Sequence, residues 1–170
     1  GDPIAVPSQD MVLGAYYLTK LRRGSKGEGK IFASASEVII ANNSKQISLH
    51  TKIKVRIETE QGKRSQLIET TVGRVIFNQI VPKEMGYLNE LLTKGRLRQI
   101  IGLCFRKAGL AKTVEFLDKL KEIGFLTATR GGLSVSISDV VIPDEKQTII
   151  DKAQETVDNI EEYYQNGVIT

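Results

Sequence analysis

The chain has no tryptophan, one cysteine and one histidine in 170 residues. A lone Cys104 cannot close an internal disulfide, and Cys104 with His50 is too small a set of ligands for zinc. No nucleophile or carboxylate pair stands in a recognisable catalytic spacing. His50 sits among basic residues on an alternating stretch, which reads as a surface position and not a general base. The aromatics do not interleave with the basic residues, so no base-stacking platform is written here. No apolar run is long enough to span a membrane, and the first residues have neither the charged nor the apolar part of a secretory signal. These absences fit a reducing cytoplasm. Cys104, within Ile100-Ile101-Gly102-Leu103-Cys104-Phe105, reads as a buried structural thiol.

What is present is an ordinary globular composition, 41% hydrophobic and 26% charged, long enough to bury a core. The charge is unevenly placed. Residues 143–170 hold seven acids and two bases, a net of −5, which leaves +9 for residues 1–142 out of the total of +4. A basic body with an acidic appendage suggests that the body meets phosphates and the appendage meets something else.

The pattern along the chain predicts an α+β fold. Ser8 suits a helix N-cap, and Met11, Leu13, Tyr16, Tyr17 and Leu18 carry a helix to about Arg23, with Gly14 a weak point. Gly24 to Gly29 is a loop by composition. Ser36 to Asn42 reads as a short helix capped by Ser36. Residues 49–59 alternate: Leu49, Thr51, Ile53, Val55 and Ile57 face one way, His50, Lys52, Lys54 and Arg56 the other. Residues 61–64 form a hairpin turn and Gln66–Val72 the return strand. Residues 73–82 fit strand or helix equally. Leu88 to Phe105 looks helical up to Gly109. A second helix runs to Glu122, burying Val114, Leu117 and Leu120, and Gly124 stops it. Residues 130–132 read as a loop, and Leu133, Val135 and Ile137 as a short strand. Pro143 then opens a last helix, where Ile150, Ala153, Val157, Ile160 and Tyr164 recur at spacings of 3, 4, 3 and 4. That is a coiled-coil seam wanting one partner helix. The expected architecture is a small mixed domain of helices and antiparallel strands over 1–142, followed by a protruding helix at 143–170, one arm of a coiled-coil hairpin.

One segment invites a functional reading that the residues do not sustain, and two others stay open. Gly24-Ser25-Lys26-Gly27-Glu28-Gly29-Lys30 matches G-x-x-x-x-G-K, but Ile31 stands where a magnesium-ligating Ser or Thr belongs, and a helix precedes it instead of a strand. A flexible basic loop is the better reading. The Lys52, Lys54, Arg56 face is a candidate phosphate contact, or a solvated strand face. The acids of the last helix are a solvated surface or a docking site.

The run Val6-Pro7-Ser8-Gln9-Asp10-Met11-Val12-Leu13-Gly14 resembles the segment that follows the catalytic centre in the largest (β′) subunit of bacterial DNA-directed RNA polymerase. Further segments match in order: Leu49 to Arg56, Thr70-Thr71-Val72-Gly73-Arg74-Val75-Ile76-Phe77-Asn78, Phe125 to Val135, and Asp139-Val140-Val141-Ile142-Pro143. The chain departs from the pattern at Gly131, where the family usually has Ser, and at Ser138, where it has Asp. The family's Asn-Ala-Asp-Phe-Asp-Gly-Asp motif, which binds the catalytic metal, is not in this sequence.

The resemblance implies an excised, catalytically inactive piece of a nucleotidyltransferase. Residues 1–142 would be the pore domain lining the secondary channel, through which nucleotides enter and backtracked RNA leaves. Residues 143–170 would be the first arm of the rim helices, truncated. Channel-lining candidates are Gln9, Asp10, Arg74 and Arg130. Candidates for factor docking are Glu155, Asp158, Glu161 and Glu162. Implied partners are the β, α, ω and sigma subunits, DNA and RNA, and transcript-cleavage or stringent-response factors, with no membrane. Magnesium and zinc belong to the whole subunit and no cofactor to this piece. The competing reading is an autonomous basic nucleic-acid-binding module with a dimerising helix. An independent nucleotide hydrolase would rest on the Gly24–Lys30 match alone.

Overall fold

The computed structural model describes residues 6–58 and 65–136, with side chains through residue 126. Helix α1 (Gln9–Thr19) begins as expected at Ser8, whose hydroxyl accepts from the Met11 amide at 3.3 Å. It ends four residues short of Arg23. The Thr19 hydroxyl donates back to the Ala15 carbonyl at 2.7 Å, and Lys20 is extended. The Arg22 amide then bonds the His50 carbonyl, which draws the chain away from the helix axis.

Strand β1 (Ile31–Phe32) pairs in parallel with β2 (Lys52–Glu58), which pairs antiparallel with β3 (Ser65–Thr71), giving the order β1-β2-β3. The register runs from Lys52 opposite Thr71 to Glu58 opposite Ser65. The alternation predicted for β2 is seen. Ile53 and Val55 are fully buried, while Lys54 and Arg56 are exposed. The small parallel strand is absent from the sequence reading, because two residues leave no periodic pattern.

Helix α2 (Ala35–Asn43) is capped by Ser34, not Ser36. The Glu37 amide donates to the Ser34 hydroxyl, and the Glu37 carboxylate accepts from the Ala33 amide at 2.8 Å. Ser34-x-x-Glu37 has the spacing of a capping box, here with the carboxylate reaching the amide one residue before the cap, and these two bonds outcompete Ser36. Residues 73–82, ambiguous by pattern, resolve as helix α3 (Val72–Asn78) and a turn, with a 3-10 helix following at Lys83–Met85. Thr71 caps α3, accepting from the Arg74 amide.

Helix α4 (Lys94–Ser136) overturns several expectations. It starts at a Thr93 cap, not at Leu88. Gly109 breaks it, with φ of 85°. The second arm then runs straight through Gly124 and through residues 130–136, where a loop and a strand were expected. A glycine inside a helix costs about 1 kcal/mol relative to alanine. Here the packing of α4 on α1 offsets it, because Gly124 is buried against the backbone of that helix. Val114, expected inside, is 49% exposed, while Leu120 is fully buried as expected and Leu117 packs against the core.

Among the described residues two apolar cores result. One joins α1 to α4, from Met11, Ala15 and Leu18 to Phe116, Leu120 and Ile123, with Phe77 edge-on to Phe116. The other lies under the sheet and α2, around Val38, Ile53, Val55, Val72 and Val75. Helix α3 contributes to both, and Ile76 packs against each. The arrangement is α+β. Residues 143–170, with the seam Ile150, Ala153, Val157, Ile160 and Tyr164, lie outside the described residues. So do the hairpin turn at 61–64 and the docking candidates Glu155, Asp158, Glu161 and Glu162. Among the described residues no helix is long and apolar enough to cross a membrane.

Candidate functional site

The four channel candidates fall into two places. Gln9 and Asp10 are exposed in the first turn of α1. Asp10 there faces the positive end of the helix dipole, a favourable place for a carboxylate. The same end of α1 rests on Gly124 of α4: a methyl built on Gly124 would meet the Met11 Cα at 2.9 Å and the Asp10 carbonyl at 3.4 Å. Arg130 stands six residues further along α4, about 9 Å along the axis at the usual helical rise. Gln9 and Asp10 thus begin the stretch of α1 that touches α4 at Gly124, and Arg130 lies on the same helix less than two turns beyond that contact.

Arg74 is elsewhere. It lies on α3, at the opposite end of α1, where its Nε donates to the Thr19 carbonyl at 3.0 Å and its Nη1 to the Asn89 side-chain oxygen at 3.2 Å. Burial pulls its pKa down, while Tyr87 and Glu90 act in the other direction. The rest of Thr70-Thr71-Val72-Gly73-Arg74 is equally occupied. The Thr70 hydroxyl donates to the Asn89 Oδ1 at 2.8 Å, so Tyr87 must supply the proton in its 3.0 Å bond to Thr70. Burial pushes the Tyr87 phenol up to about 12, which keeps it a donor. Gly73 carries its amide to the Leu49 carbonyl at 2.8 Å, and a Cβ there would stand 1.7 Å from the Leu18 carbonyl oxygen. Asn78 closes the far side: its amide nitrogen donates to the Arg74 and Leu88 carbonyls, and its oxygen accepts from the Leu88 amide. Asn78, Tyr87 and Asn89 were missed by sequence reasoning. Only Asn78, four residues after Arg74 on one helix face, left a signal.

A basic surface adjoins this frame. Lys20, Arg22, Arg23, Lys26 and Lys30 are exposed on the segment between α1 and β1. The segment is tied along β2: the Gly29 amide donates to the Lys52 carbonyl, the Lys54 amide to the Lys30 carbonyl, and the Thr51 hydroxyl to the Lys26 carbonyl, all within 2.9 Å. It is therefore an ordered loop. Gly24, Gly27 and Gly29 all have positive φ, as its turns require. A helix precedes it, and the Glu28 carboxylate accepts from the Gly24 amide, putting a negative charge where a phosphate cradle would need none. Of the β2 cations, Lys52 pairs with Glu69 at 2.9 Å, and Lys54 and Arg56 face solvent.

His50, read as a surface residue, is buried. Its Nε2 donates to the Tyr17 carbonyl at 2.8 Å and its ring stands edge-on to Tyr17. Burial lowers its pKa below the ordinary 6.5, and Arg22 and Lys20 push the same way. The alternation hid this, because His50 precedes the strand and lies in a turn. Cys104 is fully buried, as expected; burial pushes its thiol up, and the Thr113 hydroxyl lies 3.5 Å from the sulfur. Among the described residues no three His, Cys, Asp or Glu side chains are grouped to hold a metal.

The chain matches the family described as RNA polymerase Rpb1, domain 3, over residues 1–140, and it belongs to that family. It is 45% identical over its whole length to the DNA-directed RNA polymerase subunit beta' of Desulforamulus reducens, 47% to that of Parabacteroides distasonis and 43% to that of Caldicellulosiruptor saccharolyticus. It covers 14%, 12% and 16% of those proteins. The chain is thus similar to one stretch of a much longer bacterial polymerase subunit.

Proposed function

We propose that this chain acts within a bacterial β′-type subunit of a DNA-directed RNA polymerase, the nucleotidyltransferase that copies DNA into RNA. In that reading residues 1–142 line the passage for incoming nucleotides and backtracked RNA. Residues 143–170 offer a rim helix on which Glu155, Asp158, Glu161 and Glu162 meet transcript-cleavage or stringent-response factors. The observation that carries the channel assignment is the backbone contact between the Asp10–Met11 turn and Gly124, less than two helical turns before Arg130, in a member of this family.

The groups present suit guidance and not bond making. Arg130 brings a fixed positive charge, Gln9 an amide donor and acceptor, Asp10 a carboxylate. The basic segment 20–30 raises the local concentration of anionic nucleotides and RNA. The donor set does not fit a catalytic metal, so the magnesium chemistry is assigned to residues elsewhere in the subunit, and zinc likewise. Arg74 is better matched to holding the domain together, with its reach into the channel a secondary role. The assembly partners are the β, α, ω and sigma subunits with DNA and RNA, and the compartment is the cytoplasm.

The test is a polymerase reconstituted with full-length subunit carrying Gln9→Ala, Asp10→Ala or Arg130→Ala. The expected result is a KM for nucleotide raised about threefold to tenfold, or altered cleavage of backtracked RNA, with kcat at saturation within about twofold. Wild-type values for all three would sink the assignment.

A further inference from the structure

Up to residue 126, where side-chain surroundings are described, α1 and α4 hold Gly14, Gly95, Gly102 and Gly124 besides the break at Gly109, and only two of these are demanded by a neighbour. Gly95 meets nothing within 4 Å, and Gly102 meets only the tip of the Arg106 side chain at 3.5 Å. Gly14 and Gly124 instead meet each other. A methyl on Gly14 would stand 2.3 Å from the Gly124 carbonyl oxygen and 2.4 Å from its Cα. Both obstacles are backbone, so no side chain can swing aside. At this end of α1 the described hydrogen bonds stay within the helix, from the Met11 and Val12 amides to Ser8. The distance between the two helices here is set by the two missing side chains.

We infer that Gly14 and Gly124 are positioning residues for the channel surface: their backbone contact fixes where Gln9 and Asp10 stand relative to the part of α4 that carries Arg130. The inference rests on the channel reading above. Five residues separate Gly14 from Gln9, and six separate Gly124 from Arg130, so each glycine lies less than two helical turns from the groups it serves. Adding a methyl at the contact pushes α1 outward, and its first turn moves with it. A displacement of about 1 Å at a substrate-orienting group is enough to change rates severalfold to a hundredfold.

The experiment uses the whole polymerase with Gly14→Ala and Gly124→Ala, each alone and combined with Gln9→Ala, and with Thr19→Val as a destabilising change at the other end of α1. Nucleotide KM, kcat and thermal unfolding are measured for each. The expected result is a nucleotide KM raised about threefold or more with kcat within about twofold, and a double variant with Gln9→Ala no worse than the worse single. Thr19→Val should lower thermal stability and multiply independently with Gln9→Ala. Fully multiplicative effects of the glycine variants with Gln9→Ala, or unchanged KM in both, would overturn the inference while leaving the channel reading intact. Wild-type behaviour of Gln9→Ala, Asp10→Ala and Arg130→Ala would remove that reading and this inference with it. Should Gly14→Ala fail to fold, Gly124→Ala, whose methyl intrudes less, decides the matter.

Discussion

The two ends of α1 are held by different physics. At the C-terminal end Arg74 donates to the Thr19 carbonyl, His50 donates to the Tyr17 carbonyl, and the Thr19 hydroxyl accepts from the Leu92 amide at 2.9 Å. These bonds are directional, and each satisfies a group that would otherwise lie orphaned at a helix terminus or in the core. Toward the N-terminal end the tie to α4 is steric, through Gly14 at mid-helix and the Asp10–Met11 backbone, both against Gly124. A hydrogen-bonded end is fixed by the loss of any one partner being costly. A close-packed end is fixed by there being no room. The first end belongs to the domain's internal frame, and the second presents exposed polar groups beside α4.

Changes at each end should therefore fail differently. The largest effect is expected from Gly73→Ala, whose new methyl would collide with the Leu18 carbonyl and pry α3 from α1. A loss of about 3 kcal/mol or more is expected, read as a steep drop in thermal or denaturant midpoint. Arg74→Leu comes next. It leaves the Thr19 carbonyl and Asn89 short of a donor and should cost about 2 kcal/mol, with Asn89→Ala producing a non-additive double variant. Thr19→Val keeps the shape but strands the Leu92 amide, and should cost about 1–2 kcal/mol. At the other end Ser8→Ala removes only a cap and should cost about 1 kcal/mol. A Ser8→Ala loss exceeding that of Thr19→Val would contradict the proposed division between the ends.

The smallest effect concerns pH. The folded-state pKa of His50 is depressed below 6.5, chiefly by burial, so the unfolded chain binds the proton first as pH falls. Stability should decline as pH drops through about 6.5 and level off below the folded pKa. Comparing unfolding midpoints at pH 8 and pH 5.5 for the wild type and for His50→Asn isolates this contribution, which should disappear in the variant.

How much of this was readable in advance differs between the two cores. Strand β2 announced itself because one face is buried and one is wet, so its alternation is a direct record of burial. Ser8 was legible as a cap for the same local reason. The helical core was not. Gly14 and Gly124 look like weak points when each helix is read alone; only the packing of one on the other turns two apparent breaks into a contact. Arg74 was legible as important but not as a structural tie, because Tyr87 and Asn89 come from an irregular segment that leaves no periodic mark. His50 misled for a related reason: it shares the strand's alternation by accident of spacing. The family resemblance, by contrast, was carried by ordered runs of residues, and the match over residues 1–140 bears it out.

The break at Gly109 has a mechanical consequence. From there to residue 130 the second arm of α4 extends about 30 Å, so a tilt of about 5° at the break sweeps Arg130 sideways by roughly 2.6 Å, by the geometry of a rigid rod. Two contacts just past the pivot oppose such a swing: Lys112 pairs with Glu84 of the 3-10 turn, and the Thr113 hydroxyl donates to the Gly109 carbonyl at 2.7 Å. The far tip of the lever is thus held mainly by its shaft, through Phe116, Leu120, Ile123 and Gly124 packed on α1, while a salt link and a hydroxyl steady the fulcrum.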